Sequence, residues 1–392
     1  MSAINHWLLP EGIEEVLPEQ AWRIEQLRRG LLDTYRGWGY QLIMPPMIEF
    51  LESLLTGAGN DLDLQTFKLI DQQSGRLLGL RADMTPQAAR IDAHSLKREA
   101  PTRLCYLGTV LHTRPDGFAG SRSPLQVGAE LFGHAGMESD LEIIGLMLET
   151  LRLTGIETVH MDLGHVGIFR GLARAAGLDG EAETDLFDVL QRKAIPEIEG
   201  LLGDMDLNAA QREGFARLAE LHGGREVLDA ARERYRDIAP VQEAVDNLAA
   251  IGEAVHSRWP ELPVNYDLAE LRGYAYQTGV VFAAFTPGCG QEVARGGRYD
   301  KIGEIFGRAR PATGFSADLK TLMALGRTAA ASDGAIYAPA DGDSGLNDRV
   351  RELRSQGERV IQGLPGEAGG AQALGCDRRL ELRDGVWEVR NL

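Results

Sequence analysis

The chain is poor in cysteine, has no concentration of basic residues and contains no long apolar run. Its three cysteines, Cys105, Cys289 and Cys376, are scattered and odd in number. That argues against a disulfide framework, and none has the spacing of a metal-ligand set. No metal site and no cofactor are expected. No stretch approaches membrane-spanning length, and the N-terminus lacks the charged-then-apolar pattern of a secretory signal. A cytoplasmic protein without membrane contact is the expectation. Lys and Arg number 41 against 58 Asp and Glu, a formal net charge of −17. So acidic a chain repels phosphate backbones, and without a Lys/Arg cluster nucleic acid is not an expected partner.

What is present is the composition of a soluble globular protein, 44% hydrophobic and 25% charged, in a chain long enough for two or three domains. Pro18 precedes a helical pattern, with Ile24, Leu27, Leu31 and Tyr35 at three- and four-residue spacing and Gly37 at its end. Gly39 to Met44 reads as a strand running into Pro45-Pro46. Thr66 to Ile70 and Leu77 to Leu80 flank a polar turn and read as a hairpin. Pro86 then opens a helix, for which Asp83 is a natural N-cap. Leu104 to Leu111 and Leu125 to Gly133 read as a strand pair around the loop Pro115 to Gly120. In the second of these strands Gln126, Gly128 and Glu130 share one face, while Val127, Ala129 and Leu131 point to the core. Two polar side chains separated by a glycine suit a small polar ligand; a solvated sheet face fits the same pattern. Ser139 to Glu142 has the form of a capping box for a helix closed by Gly155. Residues 165–260 are almost wholly helical in pattern.

Tyr274 to Phe285 has strand composition, Thr286 to Gly290 is a turn, and Gln291 to Arg295 returns as a partner strand. Arg272 and Arg298 flank this hairpin, and Gly296-Gly297 allows a ligand or another strand to approach the backbone closely. Lys301 to Phe306 reads as a short helix, and Thr313 to Leu319 enters a helix continuing to Leu325. Ala329 to Gly334 is a linker. In the tail, Ala335 to Ala338 reads as a strand, Asp348 to Gln356 as a helix, and Asp384-Gly385 as the turn between two short strands.

Arg272 to Gln277 and Arg295 to Asp300 resemble the R-G-L-D-Y-Y and A-G-G-R-Y-D signatures of histidyl-tRNA synthetases. Leu80 to Thr85 is similar to that family's L-R-P-E-G-T, with Asp83 in the place of its glutamate. Leu125 to Glu130 is similar to its H-Q-F-G-V-E. The first helix and strand resemble motif 1 of class II synthetases, which builds a homodimer. The resemblance implies an α+β fold, an antiparallel sheet flanked by helices. Its expected divisions are a synthetase-like core from 1–164 and 261–328, a helical insertion at 165–260, and a small C-terminal α/β domain at 334–392.

Two arginines that meet the ATP phosphates in that family are not matched. Counted back without gaps from Gln126 and Glu130, the motif 2 F-R-x-E falls on Leu111 to Arg114, with His112 at the arginine; a local gap would instead put Arg114 near that position. Motif 3 aligns from Gly314, with Thr321 at the arginine. Losing one such donor costs about 3–4 kcal/mol of barrier. The tail is also too short for a tRNA-gripping domain. The chain therefore resembles the regulatory subunits of ATP phosphoribosyltransferase, synthetase-like proteins that pair with a short-form catalytic subunit in the first step of histidine biosynthesis. The resemblance implies no catalytic residue and L-histidine as effector. The ligand's amino group would meet Asp83, Thr85 and Gln126, its carboxylate Arg272, and its imidazole Glu130, Tyr276 and Tyr299. Two alternatives stay open: a divergent ligase that activates histidine or another amino acid with ATP, and a scaffold whose pocket is vestigial.

Overall fold

The computed structural model describes residues 7–55, 60–115, 120–271, 273–274, 276–327, 334–367 and 369–392. The chain divides into two compact units, Met1–Thr328 and Ala329–Leu392. The expected loop tip at Asp116 to Ala119, and all of the expected linker except Gly334, lie outside the described residues.

Among the described residues the larger unit is built on twelve strands. They are β1 (Gln41–Leu42), β2 (Ile48–Phe50), β3 (Lys68–Ile70), β4 (Leu77–Leu80), β5 (Thr102–Thr109), β6 (Leu125–Phe132), β7 (His160–His165), β8 (His222–Gly223), β9 (Val264–Asp267), β10 (Val280–Phe285), β11 (Ala294–Arg298) and β12 (Ala312–Asp318). Nine of them form one sheet in the order β1-β5-β6-β12-β11-β10-β7-β9-β8, and β2-β4-β3 form a small one. The central strands, β5 to β7 in that order, pair antiparallel throughout. This is the expected α+β class.

Helices cover one face of the sheet. The Pro18–Gly37 helix starts on proline, whose missing N–H is unpaired at a helix start anyway, and buries Ile24, Leu31 and Tyr35. The Tyr35 hydroxyl meets Thr150 Oγ1 at 2.8 Å, which ties that helix to the Met137–Leu153 helix. Six helices lie between Val166 and Arg258. Phe169, Leu190, Phe215 and Leu248 from this segment belong to the same apolar cluster as Val127, Leu163 and Phe315 from the sheet. One continuous core thus runs from the strands into the helices.

Several local expectations change in the fold. The strand read from Tyr274 begins only at Val280. Gly273 adopts φ +72°, and the amides of Tyr276 and Gln277 both donate to its carbonyl. The Tyr274 ring is drawn out of line between Phe169 and Phe187, with centroids 5.3 and 5.0 Å away. Thr313 to Asp318 is not a helix entry but β12, a central strand between β6 and β11. The helix is confined to Leu319–Leu325 and is capped by Asp318. Ser139 does not cap its helix, which starts at Met137. Its hydroxyl instead donates to Gly136 O at 2.7 Å and accepts from Arg298. The strand read over Gly39 to Met44 is two residues long, and β7 is a strand where none was expected.

The smaller unit is a four-stranded sheet of Ala335–Ala338, Val360–Gln362, Cys376–Arg383 and Val386–Asn391. The Ser344–Ser355 helix packs Leu346, Val350 and Leu353 into its core. Asp384, at φ 48°, makes the turn expected between the last two strands.

Candidate functional site

The registers of six neighbouring strands align one row of residues across the sheet. Leu104 pairs with Glu130, Glu130 with Gly314, Gly314 with Gly297, Gly297 with Val281, and Val281 with Gly164. Paired residues on adjacent strands present their side chains to the same face. The row is therefore a floor of three glycines with a glutamate near one end, on the face away from the main core.

Each glycine makes room for a group from elsewhere. A Cβ on Gly314 would lie 1.5 Å from Glu130 Oε2, one on Gly297 2.7 Å from Gln277 Oε1, and one on Gly164 2.7 Å from Glu270 Cβ. Gly128, one step along β6, likewise leaves space for the Tyr106 hydroxyl, 2.6 Å from a Cβ there. Gly314→Ala forces Glu130 out of its place. It should lower stability by about 1–3 kcal/mol or more, as overpacking does, measured by urea unfolding. A variant as stable as the parent would mean that this contact is not made in solution.

Glu130 is fully buried. Tyr106 Oη donates to its Oε1 at 2.9 Å, and Tyr299 Oη donates to Oε2. Burial pushes the Glu130 carboxyl up to about 8, although both hydroxyls favour its charged form. The two phenols are raised well above their ordinary value, first by burial and then by the carboxyl beside them. A group that changes charge near neutral pH inside a tyrosine box can exchange its proton with a ligand N–H.

The network extends outward from there. Tyr106 Oη and Thr85 Oγ1 are 3.0 Å apart. Asp83 Oδ1 accepts from the Thr85 amide at 2.9 Å and from Gln126 Nε2 at 2.7 Å, and Gln126 Oε1 accepts from the Met84 amide at 2.9 Å. Asp83 is not the helix N-cap, which is Met84 and has no side-chain cap bond; its Oδ1 instead joins the Thr85 amide to Gln126. Asp83, Thr85 and Tyr276 are partly exposed while Glu130 and Tyr299 are buried, so the outer end of the network meets solvent. Tyr276 joins through its ring, edge-on to Tyr299 with centroids 6.3 Å apart.

The structure brings together Asp83, Thr85, Gln126, Glu130, Tyr276 and Tyr299. Arg272, the seventh expected residue, lies outside the described residues. Arg298, whose segment carries the second signature, is a structural clamp. It donates to Asp140, Ser139, Asp300 and the carbonyls of His134 and Gly136, which fixes the segment bearing Tyr299.

Sequence reasoning missed Tyr106 and marked Gln277 only as a departure from the family's tyrosine. Tyr106 needed the register that sets it opposite Gly128. Gln277 is buried, and its Oε1 has no hydrogen-bond donor among the described residues. It stands over Gly297, next in the row to Gly314 under Glu130. A small, flat ring with two N–H donors can satisfy both acceptors, and an ammonium group can be met by Asp83, Thr85 and Gln126. Among the described residues no three or more His, Cys, Asp or Glu side chains are placed to hold a metal, and no helix is long and apolar enough to cross a membrane.

Comparison with known proteins finds relatives that cover the whole chain. A family described as Histidyl-tRNA synthetase matches residues 12–322, and one described as ATP phosphoribosyltransferase subunit HisZ C-terminal domain matches 333–390. An ATP phosphoribosyltransferase regulatory subunit of Thioalkalivibrio sulfidiphilus is 62% identical, with 100% of each chain covered. One of Methylococcus capsulatus is 58% identical, covering 99% of this chain and 96% of the relative. Among solved structures, a Bacillus halodurans C protein described as an ATP phosphoribosyltransferase regulatory subunit/histidyl-tRNA synthetase superposes with TM-score 0.83. It is 27% identical and covers 94% of this chain and 96% of its own. A histidyl-tRNA synthetase of Nostoc sp. PCC 7120 shares the fold at TM-score 0.78 and 19% identity, covering 96% and 91%. With relatives this close over its full length, the chain belongs to the family of ATP phosphoribosyltransferase regulatory subunits, built on the class II histidyl-tRNA synthetase fold.

Proposed function

We propose that this chain activates and regulates a short-form ATP phosphoribosyltransferase catalytic subunit in the first step of histidine biosynthesis, and that L-histidine binds over the glycine floor as the feedback effector. The observation that carries the reading is the buried Glu130 held by Tyr106 and Tyr299 beside the Gln277 side-chain oxygen, which has no donor among the described residues. In this reading the imidazole lies between Glu130 and Gln277 with Tyr276 and Tyr299 around it. The ammonium meets Asp83, Thr85 and Gln126, and the carboxylate is assigned to Arg272. Histidine regulates by binding one state of the complex better than another.

The side chains at the two arginine positions support a role without catalysis. Thr321 Oγ1 donates to Asp318 Oδ2 at 2.7 Å within its helix cap. His112 Nε2 is 2.9 Å from Ala82 O, so that nitrogen carries the proton and serves the backbone. Neither is free to present a fixed charge to a phosphate. Within the assembly the chain is a homodimer in a hetero-oligomer, a cytoplasmic complex. Exposed apolar side chains around β1 and the small sheet, among them Leu42, Met44, Ile48, Leu69, Ile70 and Leu77, supply a surface for the second copy.

The test mixes the chain with a short-form catalytic subunit and follows formation of phosphoribosyl-ATP with and without histidine. The chain should raise the rate and make it sensitive to histidine. Glu130→Ala should abolish histidine binding by calorimetry and leave the complex insensitive. Unchanged inhibition in that variant places the effector elsewhere. Histidine-dependent ATP–pyrophosphate exchange by the chain alone would favour a ligase instead.

A further inference from the structure

Tyr276 also lines a cavity of about 560 Å³. Its walls come from the Val166–Ala176 helix, the turn at 276–278 and the segment that follows Tyr299. Arg170, Arg174 and Lys301 line it, together with Thr278, Glu183 and Glu304.

Arg170 is already committed. It donates to Gln277 O at 2.5 Å and Tyr274 O at 2.6 Å, and lies over the Tyr274 ring at 4.5 Å. It holds the wall rigid. Arg174, one helical turn further on, and Lys301, on the segment after Tyr299, have no hydrogen bond or ion pair among the described residues. Most arginines among the described residues have a partner, as expected where acidic residues outnumber basic ones by 58 to 41. Two free cations at one concavity of so acidic a protein mark a place where an anion is drawn in.

We propose that this cavity binds a small hydroxylated phosphate monoester, of the size of a sugar phosphate. The phosphate is met by Arg174 and Lys301, with Arg174 offering the fork that suits a phosphate oxygen pair. The volume is in the range of small-molecule sites and far exceeds that of a lone inorganic ion. Glu183 and Glu304 would repel a second phosphate but accept hydrogen bonds from hydroxyls, so the rest of the ligand is neutral and hydroxyl-bearing. Glu183 is held in place by the Tyr274 hydroxyl, which donates to it. Tyr276 lines this cavity as well as the Glu130 site, but the inference rests on Arg174 and Lys301, neither of which belongs to the Glu130 network.

The experiment is calorimetric titration of the full chain, without histidine, with ribose 5-phosphate and separately with inorganic phosphate at low ionic strength. Ribose 5-phosphate should bind saturably and more tightly than inorganic phosphate. Arg174→Gln and Lys301→Gln should each weaken it about tenfold, equivalent to about 1.4 kcal/mol for one charge-assisted contact. Both side chains are exposed, so the variants should melt with the parent. Absence of saturable binding of either probe at millimolar concentration overturns the proposal. So does unchanged affinity in the Arg174→Gln/Lys301→Gln double variant. Equal affinity for the two probes overturns the monoester assignment.

Discussion

Arg298→Ala will lower the unfolding free energy by about 3–5 kcal/mol, the range for removing one partner of a buried ion pair. Arg298 and Asp140 are 9% and 3% exposed in their side chains, with Nη2 and Oδ2 2.9 Å apart. Burial raises the Asp140 carboxyl, and Arg298 pulls it back. Without the guanidinium a carboxylate is left in the interior with no compensating charge. The loss also reaches the site, because Arg298 joins the start of the Met137–Leu153 helix to the end of β11, one residue before Tyr299. Thermal or urea unfolding checks the magnitude. Arg298→Ala/Asp140→Asn should recover part of the stability, since it removes the buried charge. A double variant no more stable than Arg298→Ala would show that the charge is not the cause.

The second large effect is a dependence on pH carried by Glu130. Its carboxyl is raised from an ordinary 4.5 to about 8 in the fold. Below about pH 4.5 both folded and unfolded chains hold this proton, and the group contributes no difference. Between about 4.5 and 8 the unfolded chain has released a proton that the folded chain keeps. Stability from this group therefore falls as pH rises through that window and is level above it. At about 1.4 kcal/mol for each pH unit crossed, the loss is of the order of a few kcal/mol. Glu130→Gln keeps the shape, removes the titration, and should be more stable than the parent near pH 8 and little different near pH 5. A parallel pH profile for the two proteins would mean that Glu130 ionises normally. If histidine binds as proposed, its affinity should also change with pH over the same window and cease to do so in Glu130→Gln.

Two roles thus sit side by side within one signature. Tyr299 faces Glu130, whereas Arg298, its neighbour in sequence, faces the other way and braces the helix start. A strand places consecutive side chains on opposite faces, so a short motif of the synthetase type can serve a ligand and the scaffold with adjacent residues.

Much of this protein was legible along the chain. The first helix followed from Pro18 and the spacing of Ile24, Leu31 and Tyr35, and β6 from its alternation, because both depend on neighbours within a few residues. The alternation in β6 also placed Gln126 and Glu130 on one face, and the segments resembling histidyl-tRNA synthetases led to Asp83, Thr85, Tyr276 and Tyr299. Three features needed the folded sheet. Thr313 to Asp318 became a strand because β6 and β11 offered hydrogen bonds on both sides, which no local preference reveals. Tyr274 left its strand because Phe169 and Phe187, far away in sequence, formed a slot for its ring. Gly314, Gly297 and Gly164 became one floor, with Tyr106 and Gln277 brought to its edge, only when strands far apart in the chain paired in a single register. A register is a relation between segments, and the residues of either segment alone do not contain it.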